Sequence, residues 1–218
     1  MRTALDTRTA ALDAAQAALG DHVRQLVAAA TAAALHADLS GAQSVISDVL
    51  DVTDRVDLLT QDIVDVVAGR HMAERDLRAL LGSGRIVGSL HQIACLAGQI
   101  AKATRRAYPR AVVPAEVAGL VSDLGAVSDR MLEIAVAAVA VRDTTAAQGL
   151  VEQDRQVDRL HQEMLVIGRS RAWPHPVYVA MELTSICRDY QRIAAHAVDV
   201  AVTVTAAGPT RPAVPHVR

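Results

Sequence analysis

Apolar residues recur three and four positions apart through almost the whole of this chain, and the strict alternation of a half-buried strand is rare. Breakers cluster at Gly69, Gly82 and Gly84, Pro109 and Pro114, Pro174 and Pro176, and in the tail GPTRPAVPHVR. Between them the pattern predicts six helices: Leu5 to Leu35, Gly41 to Val67, Ala73 to Tyr108, Ala115 to Val141, Thr144 to Ile167 and Pro176 to Ala206. Asp38 and Ser40 are capping candidates for the second helix. A kink is expected in the third, near Gly82 and Gly84. VDVAVTVTA alternates as a strand would, but it continues the spacing begun at Val177 and is read as helix. The Pro-rich tail from Gly208 is expected to be disordered.

The pattern also repeats. HQIACLAGQIA, from His91 to Ala101, is echoed by QRIAAHAVDVA, from Gln191 to Ala201. Ile93, Ala94, Ala97 and Ala101 recur as Ile193, Ala194, Ala197 and Ala201. VDLLTQDI, starting at Val56, lies on VDRLHQEM, starting at Val157. Asp38, Ala42 and Gln43 lie on Asp143, Ala147 and Gln148. The shift between copies changes only where turns are expected, as in duplicated helical hairpins. The fold predicted is all-α, two pseudo-symmetric three-helix bundles. The first repeat is placed at 1–108, a linker at 109–114, the second repeat at 115–206 and the tail at 207–218.

Composition narrows the function. The chain has 218 residues, 51% hydrophobic, with no Phe, one Trp and three Tyr, so its core is built from Ala, Val and Leu and its helices can approach closely. A net charge of −2, with no basic stripe or aromatic platform, argues against nucleic-acid binding. The longest uncharged run, Ile86 to Ala101, falls short of the ~20 residues a membrane span requires, and the N-terminus has no apolar signal core. Cys95 and Cys187 lack finger or redox-motif spacing and read as buried small hydrophobes in a reducing compartment. A cytoplasmic protein without membrane insertion is expected.

Candidate chemistry is sparse. Asp154 and Asp158 are four apart on one helix face, and facing carboxylates are how a bundle holds a hard metal. Arg155 and Arg159 interleave, which equally describes a solvated edge. The companion positions on the sixth helix, Gln191 and Ala195, carry no charge; in the first half the matching pair is Thr53 and Asp57. His91 and Cys95 form a possible soft-metal pair, two ligands short of a site. His161 and His196 come near each other only if the fifth and sixth helices pair. No nucleophile elbow, phosphate loop or zinc-protease motif is present, so no enzyme is expected.

The paired three-helix repeats resemble the PhoU family. The resemblance rests on ADLSGAQSVISDVLDVTDRVDLL and AERDLRALLGSGRIVGSLHQIACLAGQIA in the first half, where Asp76, Leu77 and Arg78 stand in the family's D-L-R place. In the second half it rests on VEQDRQVDRLHQEM and DYQRIAAHAVDVAV, where Arg192, Ile193, His196, Ala197 and Val198 keep the motif. The linker YPRAVVPAEVAG and SRAWPHPVYVAMEL look most like the branch of high-GC Gram-positive bacteria. The family's acidic metal pairs fall, by position, on Gln191/Ala195, Asp154/Asp158, His91/Cys95 and Thr53/Asp57. Only Asp154 and Asp158 survive as a pair, so no cofactor is expected, with a divalent or iron metal as the alternative. The resemblance implies a non-enzymatic adaptor, homodimeric or paired with another PhoU-type chain. Its implied partners are a phosphate ABC transporter and a sensor histidine kinase, and its implied action is negative regulation of phosphate uptake. Arg192 is the partner contact this suggests. The competing readings are a metal-binding helical bundle and a PhoU-like scaffold repurposed for another partner.

Overall fold

The computed structural model describes residues 2–68, 72–141, 143 and 145–207. The expectations that fall on Gly69, Thr144 and the tail from Gly208 lie outside the described residues. Six α-helices follow one another: α1 (Arg2–His36), α2 (Leu39–Val67), α3 (Glu74–Ala107), α4 (Ala118–Val141), α5 (Ala146–Arg169) and α6 (Val177–Ala207). No strand occurs among the described residues, and the Val-rich end of α6 is helical. α3 runs as one helix through Gly82 and Gly84. Its neighbours Leu80, Ser83, Ile86 and Val87 are buried, and that packing outweighs the ~1 kcal/mol an interior glycine costs.

Helix ends are set locally. Asp38 caps α2, its carboxylate accepting from the Gly41 N–H at 3.0 Å, so the helix begins at Leu39 and not at Gly41. Gly41 makes room for this cap, because a Cβ there would fall 2.5 Å from Asp38 Oδ2. A 3₁₀ turn, Ala115–Val117, precedes α4, and the Asp143 carboxylate holds the Thr145 N–H ahead of α5. The stretch between α3 and that turn is anchored by Val112 and Val113, both buried in the core.

The two halves face each other along α1 against α4 and α3 against α6, while α2 packs on α1 and α3 and α5 packs on α4 and α6. Contacts between α1 and α4 are reciprocal. Arg24 meets Asp129, its own counterpart 105 residues on, at 2.7 Å. Gly20 lies against Val136, and Gly125 lies against Thr31. Those residues stand at the same separation, so each glycine receives the other half's bulkier residue. An arrangement in which i meets j′ and j meets i′ is the mark of a twofold relation, here with Arg24 and Asp129 on its axis. The echoed residues Ile93, Ala94, Ala97 and Ala101, and their copies Ile193, Ala194, Ala197 and Ala201, are all fully buried. What the sequence repeats most faithfully is part of the core.

Candidate functional site

The positions singled out in the sequence converge on two surfaces, one per half. In the first, α2 and α3 bring Thr53 to 3.2 Å from His91 Nε2, and Cys95 Sγ lies 3.7 Å from the same nitrogen. The Thr53 hydroxyl already donates to the Val49 carbonyl at 2.9 Å. Its single proton is committed, so Nε2–H is the donor to Thr53. A nitrogen that donates cannot at the same time ligate, and Asp57 stands exposed beside the group. Cys95 is half-buried, not buried as expected, because its side chain borders the polar edge that His91 and Thr53 make. Cys187 is buried, and burial alone pushes its thiol up to about 12.

In the second half, Gln191 Nε2 donates to Asp158 Oδ1 at 2.6 Å across the α5–α6 pair. Asp154 is half-buried one turn away, and burial followed by the Asp158 charge raises its carboxyl above the usual range. Ala195, four residues past Gln191, is exposed and offers only a methyl group. His161 continues the Asp154–Asp158 line on α5. It is 6% exposed, and neither ring nitrogen has a partner among the described residues. Burial and the Arg188 charge lower its pKa, against a smaller pull from Asp158. His196 does not join it. The register that sets Asp158 against Gln191 puts His196 about two turns beyond Arg188 on α6.

This geometry does not suit the acidic metal cluster. Among the described residues no three His, Cys, Asp or Glu side chains are placed to share an ion. Two carboxylates from one helix face an amide and a methyl, whereas hard cations take six or more oxygens. The Gln191 amide supplies by hydrogen bond part of the compensation a cation would give. Arg192, next along α6, is exposed and makes no ion pair among the described residues. Asp189 was not apparent from the sequence. It is pushed up to about 6 chiefly by burial, opposed by Arg192 and Arg188 and reinforced by Glu182. The Thr53–His91 and Gln191–Asp158 bonds were legible once the hairpins were paired antiparallel; the burial of His161 was not, since it depends on how deeply α5 sits against α6.

No described helix is long and apolar enough to cross a membrane. The PhoU domain model matches residues 121–204. The chain is 33% identical over 172 residues to "Phosphate-specific transport system accessory protein PhoU homolog 1" of Mycobacterium leprae, covering 79% of this chain and 78% of that one. It is 32% identical over 172 residues to PhoU homolog 2 of Mycobacterium tuberculosis, covering 79% and 81%. In fold it is similar to PhoU from Pseudomonas aeruginosa, with a TM-score of 0.81 at 22% identity over 93% of this chain and 97% of that one. It is equally similar to the phosphate transport system regulatory protein PhoU of Streptococcus pneumoniae, with a TM-score of 0.81 at 16% identity over 93% and 96%. Identity above 30% over more than two thirds of both chains, on six helices with reciprocal halves, leaves one assignment: the chain belongs to the PhoU family.

Proposed function

We propose that this chain is a non-enzymatic, cytoplasmic accessory protein of phosphate transport that holds phosphate-uptake genes down when phosphate is plentiful. Its action is docking, onto a phosphate ABC transporter, a sensor histidine kinase or both. One observation carries this reading: family membership is joined to a bundle whose polar positions are committed to helix–helix hydrogen bonds and not to a reaction centre. A rigid face with a few exposed anchors is what such docking needs, and Arg192 is an exposed cation suited to the task. The protein is proposed to work without a metal, as a homodimer or with a second PhoU-type chain.

The test is a deletion strain grown in high phosphate, with transcripts of the uptake genes counted. Derepression in the deletion, reversed by the wild-type chain and not by Arg192→Glu, is the expected result. Unchanged transcripts in the deletion would sink the regulatory reading. A second reading, a metal-binding bundle, draws on the like-charge contact that raises Asp154 beside Asp158. Elemental analysis of untagged protein separates the two, since stoichiometric metal lost in Asp154→Asn would favour the bundle.

A further inference from the structure

The connection between α5 and α6, GRSRAWPHPV, is built as a fixed frame. Ser170 N–H bonds the Ile167 carbonyl, Trp173 N–H bonds the Ser170 carbonyl, and Ser170 Oγ accepts from the Ala172 N–H at 3.1 Å. Pro174 and Pro176 restrict the rest, and Trp173, packed on the core, stands edge-on to His175 with ring centroids 4.9 Å apart. Below this loop the helices close tightly, where a Cβ on Gly168 would lie 3.1 Å from Ala180 Cβ. Above that crossing they leave an open groove of about 750 Å³.

The groove has an apolar floor and a basic rim. Leu165, Val177, Ala180 and Met181 line the floor, with Met181 68% and Val177 72% exposed. Arg169, Arg171 and Arg188 stand around it, and none of them forms an ion pair or hydrogen bond among the described residues. Two carboxylates on neighbouring segments are already engaged: Glu116 with His175 at 3.2 Å, and Glu182 with Arg106 at 2.6 Å. Three guanidinium groups without a close ion pair, over exposed aliphatic side chains, are a poor arrangement for a surface meant only for water; only half-buried Asp189, beside Arg188 on α6, offsets part of their charge. Such patches mark contact sites, arginine is enriched at their anchors, and methionine adapts to an incoming surface.

We infer that this groove receives an amphipathic helix from a partner protein, its apolar face on Val177 and Met181 and its flanks carrying Asp or Glu. The cleft between two helices sets the shape, the floor sets the apolar face, and the arginines set the sign of the flanks. A small oxyanion would leave the floor bare, and a bilayer offers no ridge to enter a cleft. The inference deepens the docking reading above, and rests on it for the identity of the partner class.

The test uses the intact chain and a fluorescein-labelled peptide of about 18 residues, five helical turns, with Leu and Ile on one face and Glu on the other. Comparators carry Lys in place of Glu, or Gln in place of Leu and Ile. The acidic amphipath should bind, and each comparator should bind at least tenfold more weakly. Arg169→Glu with Arg171→Glu, and separately Met181→Asp, should each weaken binding tenfold or more, while Arg85→Glu, exposed on α3, leaves it unchanged. Circular dichroism checks each fold, and Arg188→Glu replaces any variant that unfolds. Equal binding of the Lys peptide, indifference to the groove variants, or binding only to phosphatidylglycerol vesicles would overturn the proposal. In the deletion strain, the Arg169→Glu/Arg171→Glu chain should fail to restore repression. Normal repression by that chain would remove the groove and leave the regulatory reading standing; that reading falls only if the deletion itself is silent.

Discussion

Ala37 joins α1 to α2 at φ 51°, a left-handed conformation in which Cβ crowds the backbone. It is held there because Asp38 N–H closes on the Ala33 carbonyl at 3.0 Å, capping α1 as Asp38 opens α2. Ala37→Gly should therefore stabilise the protein by about 1 kcal/mol, a rise of ~2–4 °C in a thermal melt. Asp189 gives a residue-scale prediction in pH. The folded carboxyl titrates at about 6 and the free one at 3.8, so between those values the folded chain keeps a proton the unfolded chain has lost. Stability should fall as pH rises through that window and level off above it. Asp189→Asn should flatten this slope and raise the urea midpoint at pH 7.5, as urea titrations at pH 4, 6 and 7.5 would show. A slope unchanged in the variant would exclude Asp189 as its source.

At the scale of elements, helix identity follows from spacing and helix contact from small residues. α2 buries Ala42, Val45, Val52, Val56, Leu59 and Val66, a single stripe read directly from the sequence. Gly125 and Gly149 show how little a residue's type says by itself. A Cβ on Gly125 would meet Thr31 Cγ2 at 2.5 Å, whereas one on Gly149 in α5 meets nothing within 4 Å. Gly125→Ala should thus cost about 1–3 kcal/mol through overpacking of α1 on α4. Gly149→Ala should stabilise by ~1 kcal/mol through helix propensity. Denaturant midpoints of the two variants moving in the same direction would contradict this assignment. Thr31 is also where the halves are bonded. Its own proton goes to the Val27 carbonyl, so buried Tyr190 donates to it, at 2.7 Å, from α6.

For the whole molecule, the contact of α1 with α4 and of α3 with α6 makes each half the other's missing layer. α1 and α4, and α3 and α6, each cover part of the other in the intact chain, and separation would expose those faces. A fragment spanning 115–207 should accordingly show a broad, non-cooperative melt and bind a hydrophobic dye, while the full chain melts in one transition. Cooperative melting of the fragment with no dye binding would show the repeats to be independent. The same architecture leaves the interior polar groups to hold the helices together. Thr31 and Tyr190 are used in joining the halves, and the groove proposed for a partner lies on α5, α6 and the turn between them.

The sequence by itself determined the six helices, the absence of a strand from the Val-rich end of α6, the doubled plan and the family, because all of these depend on periodicity and on motifs that lie within one helix. It also marked four ligand-type pairs along the chain. Tertiary structure decided what those pairs became: a Thr53–His91 bond in one half and a Gln191–Asp158 bond in the other, with no group of three ligand-type side chains among the described residues. It decided that His161 is buried, that Cys95 is not, and that Arg169, Arg171 and Arg188, scattered over two helices and a loop, surround one groove. The reason is geometric: periodicity fixes which face of a helix a residue occupies, but burial and pairing depend on the depth and register at which two helices meet, and those are set by the small residues of both.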